Sequence, residues 1–178
     1  AALAVLMTGS ASATSALYLS DAEQASMSTA VVIATIGDAT VEMSPVWNQA
    51  ITLTRVKVDE VLYGVAPSDV VIEQMGGTLD GITVYIPGDA RFEQGERCVL
   101  FLRNVDGGWF LTAMEQSKYR LESRERLGSL MVRQLSGGMF VRGPDGRLVE
   151  FHEPSNRPLK LLKTFREMLA ELGRQGVK

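Results

Sequence analysis

The 178-residue sequence predicts a mainly β chain of α+β type, a small closed barrel with a short helix before it and an amphipathic helix at its end. Three observations carry that prediction. Short apolar runs rich in Val, Ile, Phe and Tyr, punctuated by Gly, Pro and Asp, recur from Ala30 to Tyr119. One run, Gln49 to Leu62, is long and changes the parity of its apolar positions midway. Clear helical spacing is confined to a short piece near the start and a longer piece at the end.

The chain opens on the uncharged apolar stretch Ala1 to Met7, broken by Thr8-Gly9-Ser10 and followed by Ala11-Ser12-Ala13. That order is an apolar h-region and an A-x-A cleavage site, so residues 1–13 read as a truncated signal peptide. The expected destination is outside the cytoplasm: periplasm, cell surface or medium. The run is too short to span a bilayer, and stable membrane insertion is not expected.

Ser20, with Glu23 three residues on, forms a capping-box signature for a short helix over Leu19 to Ala25. Ala30 to Ile36 reads as the first strand, ended by Gly37-Asp38. A polar loop holding Pro45 and Trp47 leads into the long run. There Ile51 and Leu53 share one face while Val56 and Val58 share the other, so a β-bulge is expected near Thr54-Arg55. Strands bent in this way suit small closed barrels. Asp69 to Met75 follows, then Gly76-Gly77, then an alternating strand from Ile82 to Ile86 closed by Pro87-Gly88. Cys98 to Leu102 is apolar throughout and belongs in the centre of the sheet, which makes Cys98 a buried, inert thiol. Asp106-Gly107-Gly108 turns the chain into Trp109 to Ala113.

Lys118 to Leu121 supplies one more strand. Residues 122–136 fit helix and strand equally well, and Met139 to Phe151 reads as a hairpin about Gly143 to Gly146. The last helix has Ser155 or Asn156 as cap, Pro158 in its first turn, Gly173 as its stop, and an apolar stripe of Leu159, Leu162, Phe165, Leu169 and Leu172. Residues 14–121 are thus expected to form the barrel domain and 122–178 a C-terminal extension with a hairpin and helix. That helix packs on its own barrel or on another subunit; the spacing does not choose.

The segment Ala30 to Tyr119 resembles a family of uncharacterised secreted bacterial proteins whose barrel looks like the netrin/metalloproteinase-inhibitor (TIMP) type of OB-fold. The resemblance is carried by Val56-Lys57-Val58-Asp59-Glu60-Val61-Leu62-Tyr63-Gly64, Gly76-Gly77, Gly81, Phe92, Gly95-Glu96, Val99 to Leu102 and Gln116. It implies an OB-like β-barrel and no active site. Netrin-type inhibitors share cysteines, including an N-terminal one that meets the protease zinc. Here Cys98 is alone, so that mechanism does not carry over.

Charge is unevenly spread. Residues 1–100 hold 4 Lys/Arg against 12 Asp/Glu, a net −8, whereas residues 101–178 hold 14 against 9, a net +5. Such asymmetry suits docking between two layers of the fold or a partner of opposite sign, and the first is the simpler reading. No catalytic motif is present: His152 is the single histidine, no G-x-S-x-G surrounds a serine, and Gly76-Gly77 is not a dinucleotide fingerprint. No cofactor is expected. One His and one Cys do not make a zinc site. Asp80, Asp89, Glu93 and Glu96 have the oxygen chemistry for calcium but not its loop spacing, and they read as solvated turn acids. Nucleic acid is not an expected partner, because the barrel half is acidic and Lys118, Arg120, Arg124, Arg126 and Arg133 read as a solvated face. Trp47 is the candidate partner-binding residue. Its alternative role is to fold back and cap one barrel end, and the burial habit of large aromatics favours that.

The expected function is an exported, non-enzymatic binding or assembly module of the cell envelope or secretome, its partner another envelope or secreted protein. The alternative is a hydrolase or hydrolase inhibitor that uses the scattered carboxylates Asp89, Glu93 and Glu96.

Overall fold

The computed structural model describes residues 16–136, 139–151 and 159–175. The apolar leader and its cleavage site, His152, and the expected helix-cap residues Ser155, Asn156 and Pro158 lie outside the described residues. Within them the protein is mainly β. Its elements are β1 (Ala16–Leu17), α1 (Asp21–Met27), β2 (Ala30–Met43), β3 (Ala50–Gly64), β4 (Asp69–Met75), β5 (Gly77–Leu79) and β6 (Ile82–Val84). There follow β7 (Arg97–Val105), β8 (Gly108–Leu111), a 3-10 turn at Met114–Ser117, β9 (Lys118–Arg124), β10 (Gly128–Val132), β11 (Met139–Arg142), β12 (Leu148–Phe151) and α2 (Leu162–Gln175).

Five strands close a ring in the order β2-β3-β4-β8-β7 and back to β2. Every pairing in it is antiparallel except β4 with β8, which meet in parallel at Ile72 and Trp109. β7 gives one edge to β2 and shares the other, its first half pairing β9 and its second half β8. β9 and β10 extend the sheet outward from there. Apart from the ring, β1 and β12 flank β11, and β5 and β6 form a hairpin.

The ring explains the sequence pattern strand by strand. Ala30, Val32, Ala34 and Ile36 point inward with Val56, Val70, Ile72, Cys98, Leu100 and Leu102, filling the barrel. Val31, Ile33, Val99 and Phe101 point outward, yet they are equally buried, under Ala25, Leu162, Phe165 and Leu169 of the two helices. Strands buried on both faces read as unbroken apolar runs. The C-terminal helix therefore packs on its own barrel, with Phe165 edge-on to Phe101 at 5.8 Å.

Four local expectations need correction. Gly37-Asp38 does not end the first strand, because β2 continues to Met43. The pairs Ile36–Val56 and Ala39–Thr54 leave one extra residue on β2 opposite Arg55, so the bulge lies on the partner strand, and β3 itself keeps its parity, with Thr54 buried in step with Val56. A Cβ on Gly37 would sit 3.0 Å from the Arg55 carbonyl oxygen, which is why the bulge takes glycine. The strand expected over Ile82 to Ile86 stops at Val84, paired with β5 across the turn Asp80-Gly81. Residues 128–132 are strand, since Leu130 and Met131 gain a ladder from β9 on one side. On the other side Leu161 bridges Leu130 and Met131 N donates to the Lys160 carbonyl at 2.9 Å. That extended stub delays the last helix to Leu162, leaves Leu159 exposed outside it, and lets the helix run past Gly173 to Gln175. Among the described residues no helix is long and apolar enough to cross a membrane.

Candidate functional site

Two places collect the residues that the sequence singled out. The first is the tip of the β2–β3 arm. β2 leaves β7 after Thr35–Arg97 and continues with β3 to Met43–Ala50. The connecting loop is knotted about Ser44, itself buried: Ser44 N donates to the Gln49 carbonyl, Asn48 N to the Ser44 carbonyl and Trp47 N to Ser44 Oγ, at 2.9, 2.9 and 3.2 Å. Asn48 takes a positive φ of 52°, a conformation asparagine tolerates. This geometry turns the loop's apolar side chains out. Val46 is 78% exposed, Trp47 56% and Met43 53%. Trp47 does not fold back over the barrel end, because the short knotted loop presents the middle of its span to solvent. Met75 stands beside the loop, its sulfur 3.9 Å from Gln49 Nε2. No Lys or Arg precedes Arg55 in the sequence, so the tip of the arm carries no basic group.

The second place is a pocket of about 610 Å³ between the loop after β6, the 3-10 turn, β9 and the segment following β10. Asp89, Glu93 and Glu96 all line it, and Glu115 joins them from the 3-10 turn. Asp80 stands elsewhere, at the tip of the β5–β6 hairpin. The largest part of this charge is already engaged. Lys118 Nζ meets Glu96 Oε1 at 2.5 Å, donates to the Arg91 carbonyl, and lies 5.2 Å from the centre of the Phe92 ring. Glu96 also accepts from Glu93 N at 2.8 Å. Glu115 accepts from Ser136 N at 2.8 Å and Ser136 Oγ at 2.6 Å. Asp89 is different. Burial pushes its carboxyl above the ordinary range and the Glu115 charge adds to that, against hydrogen bonding from Gln74 and the Ala90 N–H. Among the described residues no three His, Cys, Asp or Glu side chains gather closely enough to hold a metal ion.

Cys98 is fully buried in the barrel, and burial together with Glu96 pushes its thiol up to about 12, which keeps it protonated and unreactive. The basic residues do not make one solvated face. Arg120 and Arg124 both pair with Glu122 at 2.9 Å, and Arg133 is buried rather than exposed.

Arg133 belongs to a cluster that sequence reasoning missed. Tyr119 OH donates to Asp21 Oδ1 at 2.6 Å, and Lys160 Nζ donates to Asp21 Oδ2 and, at 2.7 Å, to Tyr119 OH. The Arg133 guanidinium lies over the Tyr119 and Tyr18 rings at 4.9 and 5.4 Å. Burial and the Asp21 charge push the Tyr119 phenol well up, so it serves as a neutral donor. Its partners stand 98 and 41 residues away in sequence, so no local pattern announces them. No protein family, curated protein or solved structure matches this chain.

Proposed function

We propose that the chain is an exported, non-enzymatic binding module of the cell envelope or secretome, built on an OB-like barrel, that captures a protein partner with the tip of its β2–β3 arm. The exposure of Trp47 together with that of Val46 and Met43 in the same loop carries the reading. A rigid indole held in water by a knotted loop is the kind of side chain that anchors interfaces. The OB-like assignment draws support from the ring itself: five strands, closed, with one parallel contact between the third and the last. In OB-folds the loop between the first two strands is a principal binding loop, and here that loop is the one with Trp47. Export rests on the apolar run and the Ala11-Ser12-Ala13 site.

A photo-crosslinking residue at position 47, with a second at Arg126 as control, tests this in envelope and culture fluid of the source. The expected result is one discrete adduct from position 47 alone, competed by the unlabelled chain and not by Trp47→Ala. Folded bait that yields no adduct at position 47 overturns the reading. Trp47→Ala itself should change stability by less than about 0.5 kcal/mol.

A second reading, a hydrolase or hydrolase inhibitor, draws on the convergence of Asp89, Glu93 and Glu96 in one pocket with an Asp89 carboxyl biased toward its acid form. It predicts an activity on peptide or glycan substrates that Asp89→Asn abolishes. A wild-type chain silent on both substrate classes removes it.

A further inference from the structure

The pocket of about 610 Å³ sets a hydroxyl against a buried carboxylate. Ser136 is exposed and lines the pocket; its Oγ donates to Glu115 Oε2 at 2.6 Å and its backbone N–H to Glu115 Oε1 at 2.8 Å. Glu115 itself is only 5% exposed. A serine hydroxyl becomes a nucleophile when a base within hydrogen-bond reach takes its proton.

The turn that carries Glu115 is held from several sides. Met114, just before it, takes a positive φ of 50°, a conformation costly for a residue with a long side chain. Strain of that kind persists only where the surroundings impose it, and it gathers at functional sites. Here Glu115 N donates to the Gly88 carbonyl at 3.1 Å. The Gln116 side chain accepts from Leu19 N and donates to the Leu17 carbonyl, at 3.0 and 2.9 Å. The bond to Gly88 brings Glu115 beside Asp89, whose carboxyl is pushed above the ordinary range by burial and by the Glu115 charge. Hydroxyl, carboxylate and a carboxyl biased toward its acid form thus line one pocket.

We propose, resting on the hydrolase reading of this pocket, that Ser136 is the nucleophile, Glu115 the general base and Asp89 the general acid of an acyl-transfer site that cleaves peptide bonds. Ser136 Oγ attacks the scissile carbonyl carbon and its proton passes to Glu115. As the C–N bond breaks, the leaving amine takes the Asp89 proton. The acyl group is then an ester on Ser136. Water attacks that ester and gives a proton to Asp89, and Oγ leaves with the proton held on Glu115, so all three groups are restored. Glycans fall outside this site, because glycosidases of the two-carboxylate kind attack with a carboxylate or a water rather than a serine.

The test treats the folded full chain with a fluorophosphonate probe and, separately, follows cleavage of fluorescein-labelled casein. One adduct, mapped to Ser136 by mass spectrometry, is expected, together with casein cleavage that the adduct stops. Ser136→Ala, a change at an exposed position, should stay folded and lose both. Glu115→Gln should slow labelling by about 100-fold or more. A clasp that only holds the segment would leave the labelling rate alone, so labelling of Glu115→Gln at the wild-type rate overturns the proposal. Folded wild type with no adduct on Ser136 does the same. Cleavage of casein or glycan that persists in Ser136→Ala keeps the hydrolase reading and removes this serine from it, whereas a wild type silent on both substrates ends the two together.

Discussion

The barrel wall separates two cores that differ in kind. The inner one is packed with small and β-branched side chains, Ala30, Val32, Ala34, Val56 and Val70 among them, because five strands enclose little space. The outer one, between the same strands and the helices, holds the aromatics Phe101, Tyr119 and Phe165 and is bordered by the Asp21–Tyr119–Lys160 cluster. The inner core is made by neighbours along the ring. The outer core is made by chain ends, with α1 and α2 brought together over β7. Ring closure and helix docking thus draw on different stretches of the chain, though they share β2 and β7.

Phe101→Ala should separate the two cores most strongly. Phe101 is wholly buried where α2 meets the sheet, and the change should cost about 3–5 kcal/mol in a denaturant titration, most of it through lost α2 docking. Native-state hydrogen exchange should then show α2 deprotected while β2 and β3 stay protected. Uniform loss of protection would mean that the two cores are one. Asp21→Asn is the next test. It leaves Lys160 and Arg133 without their shared carboxylate, and a loss of about 2–3 kcal/mol is expected, read by the same titration. Ring strands should be insensitive to it.

The smallest effect sharpens the contrast by pH. Asp89 lies in neither core, and its carboxyl is pushed above the ordinary 3.8 by burial first. The folded protein therefore binds that proton more readily than the unfolded chain does, so this group's contribution is fully present below 3.8 and is lost as pH rises through the raised value. Asp89→Asn should accordingly stabilise the protein near neutral pH, and the gain should vanish in acid. Melting curves from pH 3 to pH 8 check it; a gain that is constant with pH would put its cause elsewhere.

Much of the fold was legible because it is locally encoded. Ser20 and Glu23 form the full capping box, with Glu23 Oε2 2.7 Å from Ser20 N. The apolar run of Cys98 to Leu102 placed β7 at the centre, whereas the switch from Ile51 and Leu53 to Val56 and Val58 pointed to a bulge in β3 and the extra residue lies on β2. The end of the chain was misread because Pro158 and Gly173 satisfy helix grammar, while Lys160 and Leu161 are claimed by the edge of β10 instead. The exposure of Trp47 runs against the burial habit of large aromatics, because its loop is held by backbone bonds about Ser44. Asp89, Glu93 and Glu96 are neighbours along one loop, whereas Glu115 joins their pocket from the 3-10 turn, which no local pattern announces.

The stub at Lys160 and Leu161 has one more bearing, on solubility. The sheet that extends outward from β7 ends on β10. There the chain lays its own segment across Leu130 and Met131. An open edge is a template on which another copy can add a strand and start an aggregate. By covering β10 with its own chain the protein blunts the outer edge of that extension.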